Sequence, residues 1–303
     1  MTIQEAGQRL IFQLYDIYET REAANIADLV MEHLTGWKKI DRILHKQLPL
    51  LPEKIHLLEK YTNELLTHKP VQYVLNEAWF YGLRFFVNEH VLIPRPETEE
   101  LVEWIIHEVR SKKYEVRNVK SENARSKDRN PSSKLKILDI GTGSGCIPIT
   151  LKKQLPLLEI VACDISNDAL EVAQRNAALH QADIGLLHLD FLDPSQWEHL
   201  PSFDIIVSNP PYIPLKEKEN MQPKVLQYEP HIALFVENDD PLLFYNAIAD
   251  FAKIKMKPDG KIYAEIQEEL GKEVQQLFIN KGFEKIELKK DMQGKDRMIR
   301  VIT

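Results

Sequence analysis

Residues 138–147 read LDIGTGSGCI, an apolar β-type run that passes through three evenly spaced glycines into the start of a helical stretch. A strand that hands over to a helix through Gly141, Gly143 and Gly145 has few places to go. Glycine tolerates positive φ and carries no Cβ, so such a loop turns tightly and lets a ligand lie against bare backbone at a helix N-terminus. Both properties belong to a βα turn of an open parallel sheet, where ligands sit beyond the carboxyl ends of the strands at the switch in strand order. The rest of the chain supplies that sheet. KILDIG, LEIVACDIS, IGLLHLDFL, FDIIVSNPP and GKIYAEI read as strands, and NDALEVAQRNAALHQ, PLLFYNAIADFAKIKM and ELGKEVQQLFINKG as helices. The alternation predicts an α/β fold with a doubly wound, mostly parallel sheet. The closing strands FEKIELKKD and DRMIRVIT have no helix between them and should pair as an antiparallel C-terminal hairpin.

Upstream the pattern is different. Leu10, Ile11, Leu14, Ile17 and Tyr18 recur at helical spacing, as do Ile26, Leu29, Val30 and His33, and two further short helices follow before residue 66. Residues 1–75 are therefore expected to form a small N-terminal helical bundle. Residues 76–95 read as a linker holding a β-hairpin, an aromatic and β-branched run from Trp79 to Leu92 broken at Tyr81-Gly82. The sheet domain then occupies 96–303, opening on PRPETEELVEWIIHEV with acidic residues in the first helical turn. Within it, residues 110–136 hold ten Lys/Arg against three Asp/Glu. Segment 111–134 is poor in apolar residues and reads as a flexible basic surface insertion, a solvated linker rather than a nucleic-acid contact.

The net charge is −7, so outside that basic stretch the chain carries −14. That balance argues against a dedicated nucleic-acid binder. The start has no basic n-region followed by an apolar core, and no run approaches the roughly 18 apolar residues of a membrane span. No membrane partner is expected. The two cysteines, Cys146 and Cys163, lack metal-ligand spacing and the ten histidines form no cluster, so no metal is expected and a reducing, cytoplasmic setting fits.

A glycine loop alone would also suit a dinucleotide. The spacing here is G-x-G-x-G, not G-x-G-x-x-G. Asp139, two residues before the first glycine, stands where an acid can hold a cationic amino group. Asp164 ends the next strand, placed for a ribose diol, and Asp190 with Phe191 ends the third, placed for an adenine amino group and its ring. A nucleoside bearing an amino acid and no pyrophosphate is S-adenosylmethionine, and the pattern is that of a class I methyltransferase. NAD remains the competing ligand, and glycines that merely pack a helix on a strand would leave both acids without a purpose.

The strand FDIIVS runs into Asn209, Pro210, Pro211 and Tyr212. Each residue before a proline is pushed out of the α region, and proline fixes φ and removes an N–H, so this loop is extended and stiff. The Asn209 side-chain oxygen and the Pro210 carbonyl then make two acceptors suited to the hydrogens of a planar NH₂ group. Tyr212 can stack on that group and favour a passing cationic charge. On these residues alone the NH₂ can belong to adenine, cytosine, guanine or glutamine.

A wider set of stretches narrows the choice. KPVQYVL, FYGLRFFV, VLIPRPETEELVE, ILDIGTGSGCI, FDIIVSNPPYIP, YEPHIAL and GFEKIELKKDMQGKDRMIRV together resemble the HemK/PrmC family of protein-(glutamine-N5) methyltransferases over nearly the full length. The resemblance implies methyl transfer from S-adenosylmethionine to the glutamine of the Gly-Gly-Gln motif in class 1 peptide chain release factors, with the N-terminal helices helping to dock that partner. It maps the cofactor site onto Gly141, Thr142, Gly143, Ser144, Gly145, Asp164, Phe191 and Asn209, and the substrate loop onto Asn209–Tyr212. Arg95, Glu97 and Thr98 would help close the pocket, or serve only to join hairpin to helix. Asn76 and Gln267 stand where relatives usually have glycine, and FVENDDPLLFY lacks glycines usual there. A DNA or RNA amine methyltransferase, or a glutamine methyltransferase acting on another protein, would use the same pocket.

Overall fold

The described residues of the computed structural model are 1–119, 134–221, 223–237 and 240–303. Its helices are α1 (Ile3–Leu14), α2 (Thr20–Thr35), α3 (Lys39–Leu44), α4 (Pro52–Leu65), α5 (Val71–Leu75), α6 (Pro96–Val119), α7 (Cys146–Gln154), α8 (Asn167–His180), α9 (Pro223–Tyr228), α10 (Leu243–Lys255) and α11 (Gly271–Asn280). Its strands are β1 (Ala78–Phe80), β2 (Leu83–Phe85), β3 (Lys136–Ile140), β4 (Glu159–Asp164), β5 (Gly185–His188), β6 (Phe203–Ser208), β7 (Ile213–Pro214), β8 (Phe235–Val236), β9 (Met256–Glu265), β10 (Lys285–Lys290) and β11 (Asp296–Ile302). The chain divides into two compact units, one of Met1–Glu77 with Val87–Glu89 and Met221–Glu229, the other of the remaining residues.

The first unit is built on helices with buried stripes: Leu10 and Leu14 of α1, Val30 of α2 and Leu65 of α4 are fully enclosed. A capping box starts α1, where the Thr2 hydroxyl accepts from Glu5 N and the Glu5 carboxylate accepts from Thr2 N. The fifth helix, α5, has no counterpart in the sequence reading. It ends at Asn76 with φ +53, a left-handed position that Asn tolerates. The Asn76 amide also donates to the Val87 carbonyl at 3.1 Å. The segment Met221–Glu229 joins this unit through α9: Lys224 pairs with Glu22 at 3.0 Å, and the Tyr228 hydroxyl donates to Thr67 O at 2.8 Å.

The second unit is a seven-stranded sheet in the order β10-β11-β9-β6-β3-β4-β5. Its strands from β9 to β5 run parallel, and β11 is antiparallel to both β9 and β10, as the closing hairpin required. Side chains alternate across the sheet. Leu138, Ile140, Ile206 and Ile262 face α10 and α11, while Ile137, Ile205, Val207 and Tyr263 face α6 and α7. The β1–β2 hairpin turns at Tyr81-Gly82, both at positive φ, and stops at Phe85 rather than reaching Leu92. The helix α6 runs on to Val119, into the stretch read as a flexible insertion; residues 120–133 of that stretch lie outside the described residues, as do 238–239 within FVENDDPLLFY. Among the described residues no helix is long and apolar enough to cross a membrane.

Candidate active site

One row of the sheet sets the level of the site. Cys163 of β4, Ile140 of β3, Ser208 of β6 and Ala264 of β9 are paired side by side. The next residue of each strand, Asp164, Gly141, Asn209 and Glu265, therefore emerges together at the carboxyl edge. The Ser208 hydroxyl donates to the Ile140 carbonyl at 2.8 Å and ties the two central strands at their ends. The switch in strand order falls at β3, whose helical connections leave to β4 on one side while β6 lies on the other.

Three glycines shape the first loop for two different reasons. Gly141 N and Thr142 N both donate to the Cys163 carbonyl, at 2.9 and 3.0 Å, which closes the turn. A Cβ on Gly141 or Gly143 would meet nothing within 4 Å, so their backbone faces open space at φ +71 and +51. A Cβ on Gly145 would sit 3.0 Å from Ile149 Cδ1 and 3.2 Å from Ala173 Cβ. Gly145 thus packs between α7 and α8, at a position whose spacing predicts a place in the ligand cradle.

The acids differ as much. Asp139 is 1% exposed, and neither of its carboxylate oxygens has a hydrogen-bond partner; the buried Thr142 hydroxyl has none either. Burial pushes the Asp139 pKa up to about 7; the nearby Thr142 hydroxyl opposes that rise and the Asp164 charge adds to it. Asp164 accepts from Gly143 N at 2.9 Å and Ser166 N at 3.0 Å, which aims it across the glycine loop. Asp190 accepts from Leu192 N at 2.9 Å. Phe191 is buried between Trp197 and Phe251, at centroid distances of 5.4 and 5.2 Å. Its ring belongs mainly to an aromatic core cluster and also lines the cavity where the sequence places an adenine ring.

A cavity of ≈ 240 Å³ opens over this edge. Of the residues singled out in sequence, Gly141, Thr142, Gly143, Ser144, Asp164, Asp190, Phe191, Asn209, Pro211, Arg95 and Thr98 line it; Asp139, Gly145, Glu97, Pro210 and Tyr212 do not. Ile232, Ala233 and Phe244 complete one wall without having carried any chemical signal of their own.

Behind Asn209 lies a buried chain of hydrogen bonds. The Asn209 Nδ2 donates to Thr98 Oγ1 at 3.1 Å, Thr98 Oγ1 donates to Glu265 Oε2 at 2.7 Å, and the Tyr212 hydroxyl donates to Glu265 Oε1 at 3.1 Å. Glu265 is 2% exposed; burial raises its pKa and the two hydroxyls oppose that rise. Tyr212 was expected to stack on a substrate, yet its ring packs on the core and its hydroxyl is held by Glu265. A half-buried phenol on the core needs a polar partner, and Glu265 is that partner. Nothing in the sequence singled out Glu265. A second such residue is Asn176 of α8, fully buried, which donates to the Ser144 carbonyl at 2.9 Å and so braces the glycine loop from behind.

Comparison with known proteins agrees with this geometry. A family model described as "PrmC N-terminal domain" matches residues 6–75, and one described as "Methyltransferase small domain" matches residues 127–228. A protein of Flavobacterium psychrophilum named release factor glutamine methyltransferase is 42% identical over 303 residues, 99% of each chain. One of the same name from Lactococcus lactis is 42% identical over 298 residues, 98% of each chain. Among solved structures, the hMettl16 catalytic domain in complex with the MAT2A 3'UTR hairpin 6 superposes with a TM-score of 0.51 at 14% identity, covering 83% of this chain and 81% of that one. At that identity it shows a shared fold.

Proposed function

The chain belongs to the release factor glutamine methyltransferase family, and from that membership we propose that it methylates the side-chain nitrogen N5 of the glutamine in the Gly-Gly-Gln motif of class 1 peptide chain release factors. It is an S-adenosylmethionine-dependent methyltransferase of the class I fold. The observation that carries the substrate reading is the shared row: Asn209, opening the stiff Asn-Pro-Pro loop, lines the same cavity as Gly141, Gly143 and Asp164.

The residues present fit the cofactor. The open space over Gly141 and Gly143 would accept a ligand against backbone, and the buried Asp139 carboxyl, with no hydrogen-bond partner on either oxygen, is an acid that a cationic amino group would hold ionised. In this reading Asp139 and Thr142 would hold the amino-acid end, Asp164 the ribose, and Asp190 with the rim of Phe191 the adenine. When bound, S-adenosylmethionine supplies an electrophilic methyl group on a cationic sulfur.

The substrate nitrogen is a poor nucleophile because its lone pair is delocalised into the amide carbonyl. Asn209 Oδ1 and the Pro210 carbonyl would accept its two hydrogens, favour a more tetrahedral nitrogen and aim the lone pair at the methyl carbon. Fixing that approach contributes several kcal/mol without any base. As the nitrogen becomes cationic, both carbonyl oxygens strengthen their hold on its acidified hydrogens, one of which then passes to water. Both Glu265 oxygens already hold hydroxyls, which leaves neither free to take that proton. Both cysteines are free and buried, in keeping with a reducing cytoplasm where release factors act.

Incubation with S-adenosylmethionine and, separately, a release factor, mixed ribosomal proteins and nucleic acid tests the reading. A one-methyl mass gain confined to the Gly-Gly-Gln peptide is expected. Methyl incorporation only into nucleic acid, or only into other proteins, overturns it.

A further inference from the structure

Resting on that functional reading, we infer that Glu265 is a positioning residue which, through the Thr98 hydroxyl, dictates which end of the Asn209 amide faces the transfer site. A carboxylate only accepts hydrogen bonds, and a threonine has a single O–H to give. Glu265 Oε2 takes that hydrogen at 2.7 Å. What Thr98 Oγ1 has left is lone pairs, so Asn209 must present its NH₂ to it, as it does at 3.1 Å. Turning the amide over would bring Asn209 Oδ1 against a lone pair with no hydrogen between them.

The two ends of an asparagine amide are nearly equal in size, so the stiff Asn-Pro-Pro backbone places the side chain but cannot choose its direction. The hydrogen-bond chain chooses. It commits Nδ2 inward and keeps Oδ1, the end a substrate NH₂ needs, for the cavity. The other carboxylate oxygen of Glu265 holds the Tyr212 hydroxyl at 3.1 Å, so one side chain secures both the first and last residues of the loop. The strand end bearing Glu265 is itself fixed, because the Tyr245 hydroxyl donates to the Glu265 backbone carbonyl at 3.0 Å.

Reversing the polarity of the chain tests this. Asn209→Asp puts an acceptor where Thr98 has only lone pairs, and its turnover should fall about 100-fold. In Asn209→Asp combined with Glu265→Gln, the new amide donates to Thr98 Oγ1 and the Thr98 hydroxyl turns to the new carboxylate. Turnover should then recover about tenfold over the single Asn209→Asp variant. A double variant as slow as Asn209→Asp, or slower, overturns the inference.

A second measurement does not depend on turnover. The Asn209 side-chain NH₂ signal, assigned in heteronuclear NMR by its loss in Asn209→Asp, should exchange slowly in the wild type. Thr98→Val should speed that exchange about tenfold and Thr98→Ser restore it; unchanged exchange in Thr98→Val overturns the inference. Wild-type protein that transfers no methyl to the release factor while exchange behaves as expected rejects the substrate reading and upholds the relay. Wild-type transfer without rescue in the double variant rejects the relay alone.

Discussion

Asn176 grips Phe86 by both ends of its amide: Oδ1 accepts the Phe86 N–H at 2.7 Å, and Nδ2 donates to the Phe86 carbonyl at 2.9 Å. The same Nδ2 reaches Ser144 O, so one buried side chain joins the end of the hairpin strand to the glycine loop. Asn176→Ala leaves those peptide groups unsatisfied and should cost about 2–4 kcal/mol of stability. Urea unfolding measures the loss, and cofactor affinity should weaken with it because the glycine loop is no longer braced.

The orphaned Asp139 carboxylate predicts a pH-dependent conflict between stability and binding. Its folded pKa of about 7 lies above the ordinary 3.8, so between those values the folded state binds more protons than the unfolded one. Stability of the cofactor-free protein from this group is fully present at low pH and is lost as pH rises toward about 7. Asp139→Asn should therefore raise the melting temperature of the cofactor-free protein by several degrees near neutral and higher pH, with little effect in acid. Cofactor affinity should move the other way, rising in the wild type from pH 6 to pH 8 and falling about 10- to 100-fold on Asp139→Asn. Calorimetric titration across that range checks it; a pH-independent wild-type affinity removes Asp139 from the amino-group role.

Gly143 and Gly145 should fail differently. Gly145→Ala drives a methyl group against Ile149 and Ala173 at a left-handed position, and should cost about 2–3 kcal/mol of stability. Gly143→Ala has room for its Cβ and pays mainly for its φ, about 1 kcal/mol. Its methyl group would point into the open space proposed for the cofactor, however, so cofactor affinity should drop at least about tenfold. Melting curves and cofactor titrations on the two variants separate these effects.

Asn209→Ala should leave cofactor affinity within about fivefold and lower turnover about 100- to 1000-fold, the cost of losing an oriented acceptor at the reacting nitrogen. Steady-state kinetics with the release factor, beside cofactor titration, reads both. Near-normal turnover would remove the amide-holding role from this loop.

The glycine loop, Asp164 and the Asn-Pro-Pro turn were legible because each is a local pattern at a strand end, and the alternation of elements placed those ends on one edge. The buried relay was not. Thr98 lies at the start of a helix and Glu265 at the end of a strand more than half the chain away; only the Ser208–Ala264 pairing brings Asn209 beside Glu265. A glutamate after an apolar run also looks like any solvated strand end. Tyr212 is ambiguous for a related reason, since an aromatic next to a rigid turn reads the same whether its ring meets a ligand or the core. Gly145 shared the spacing of its neighbours, and only the approach of Ala173 reveals that helix packing is its purpose. Asn76 is the converse case. Read in sequence as a departure from glycine, it sits at a φ of +53 that asparagine also reaches.

The helical unit is not contiguous in the chain. Beyond residues 1–77 it includes 87–89 and the stretch 221–229, which follows the substrate loop and carries Lys224 to Glu22 and Tyr228 to Thr67. A chimera that exchanges residues 1–77 alone with those of a distant relative would strand Lys224 and Tyr228 opposite foreign partners. Grafting a new helical module onto this enzyme means replacing three separate segments, the last of which follows the Asn-Pro-Pro loop.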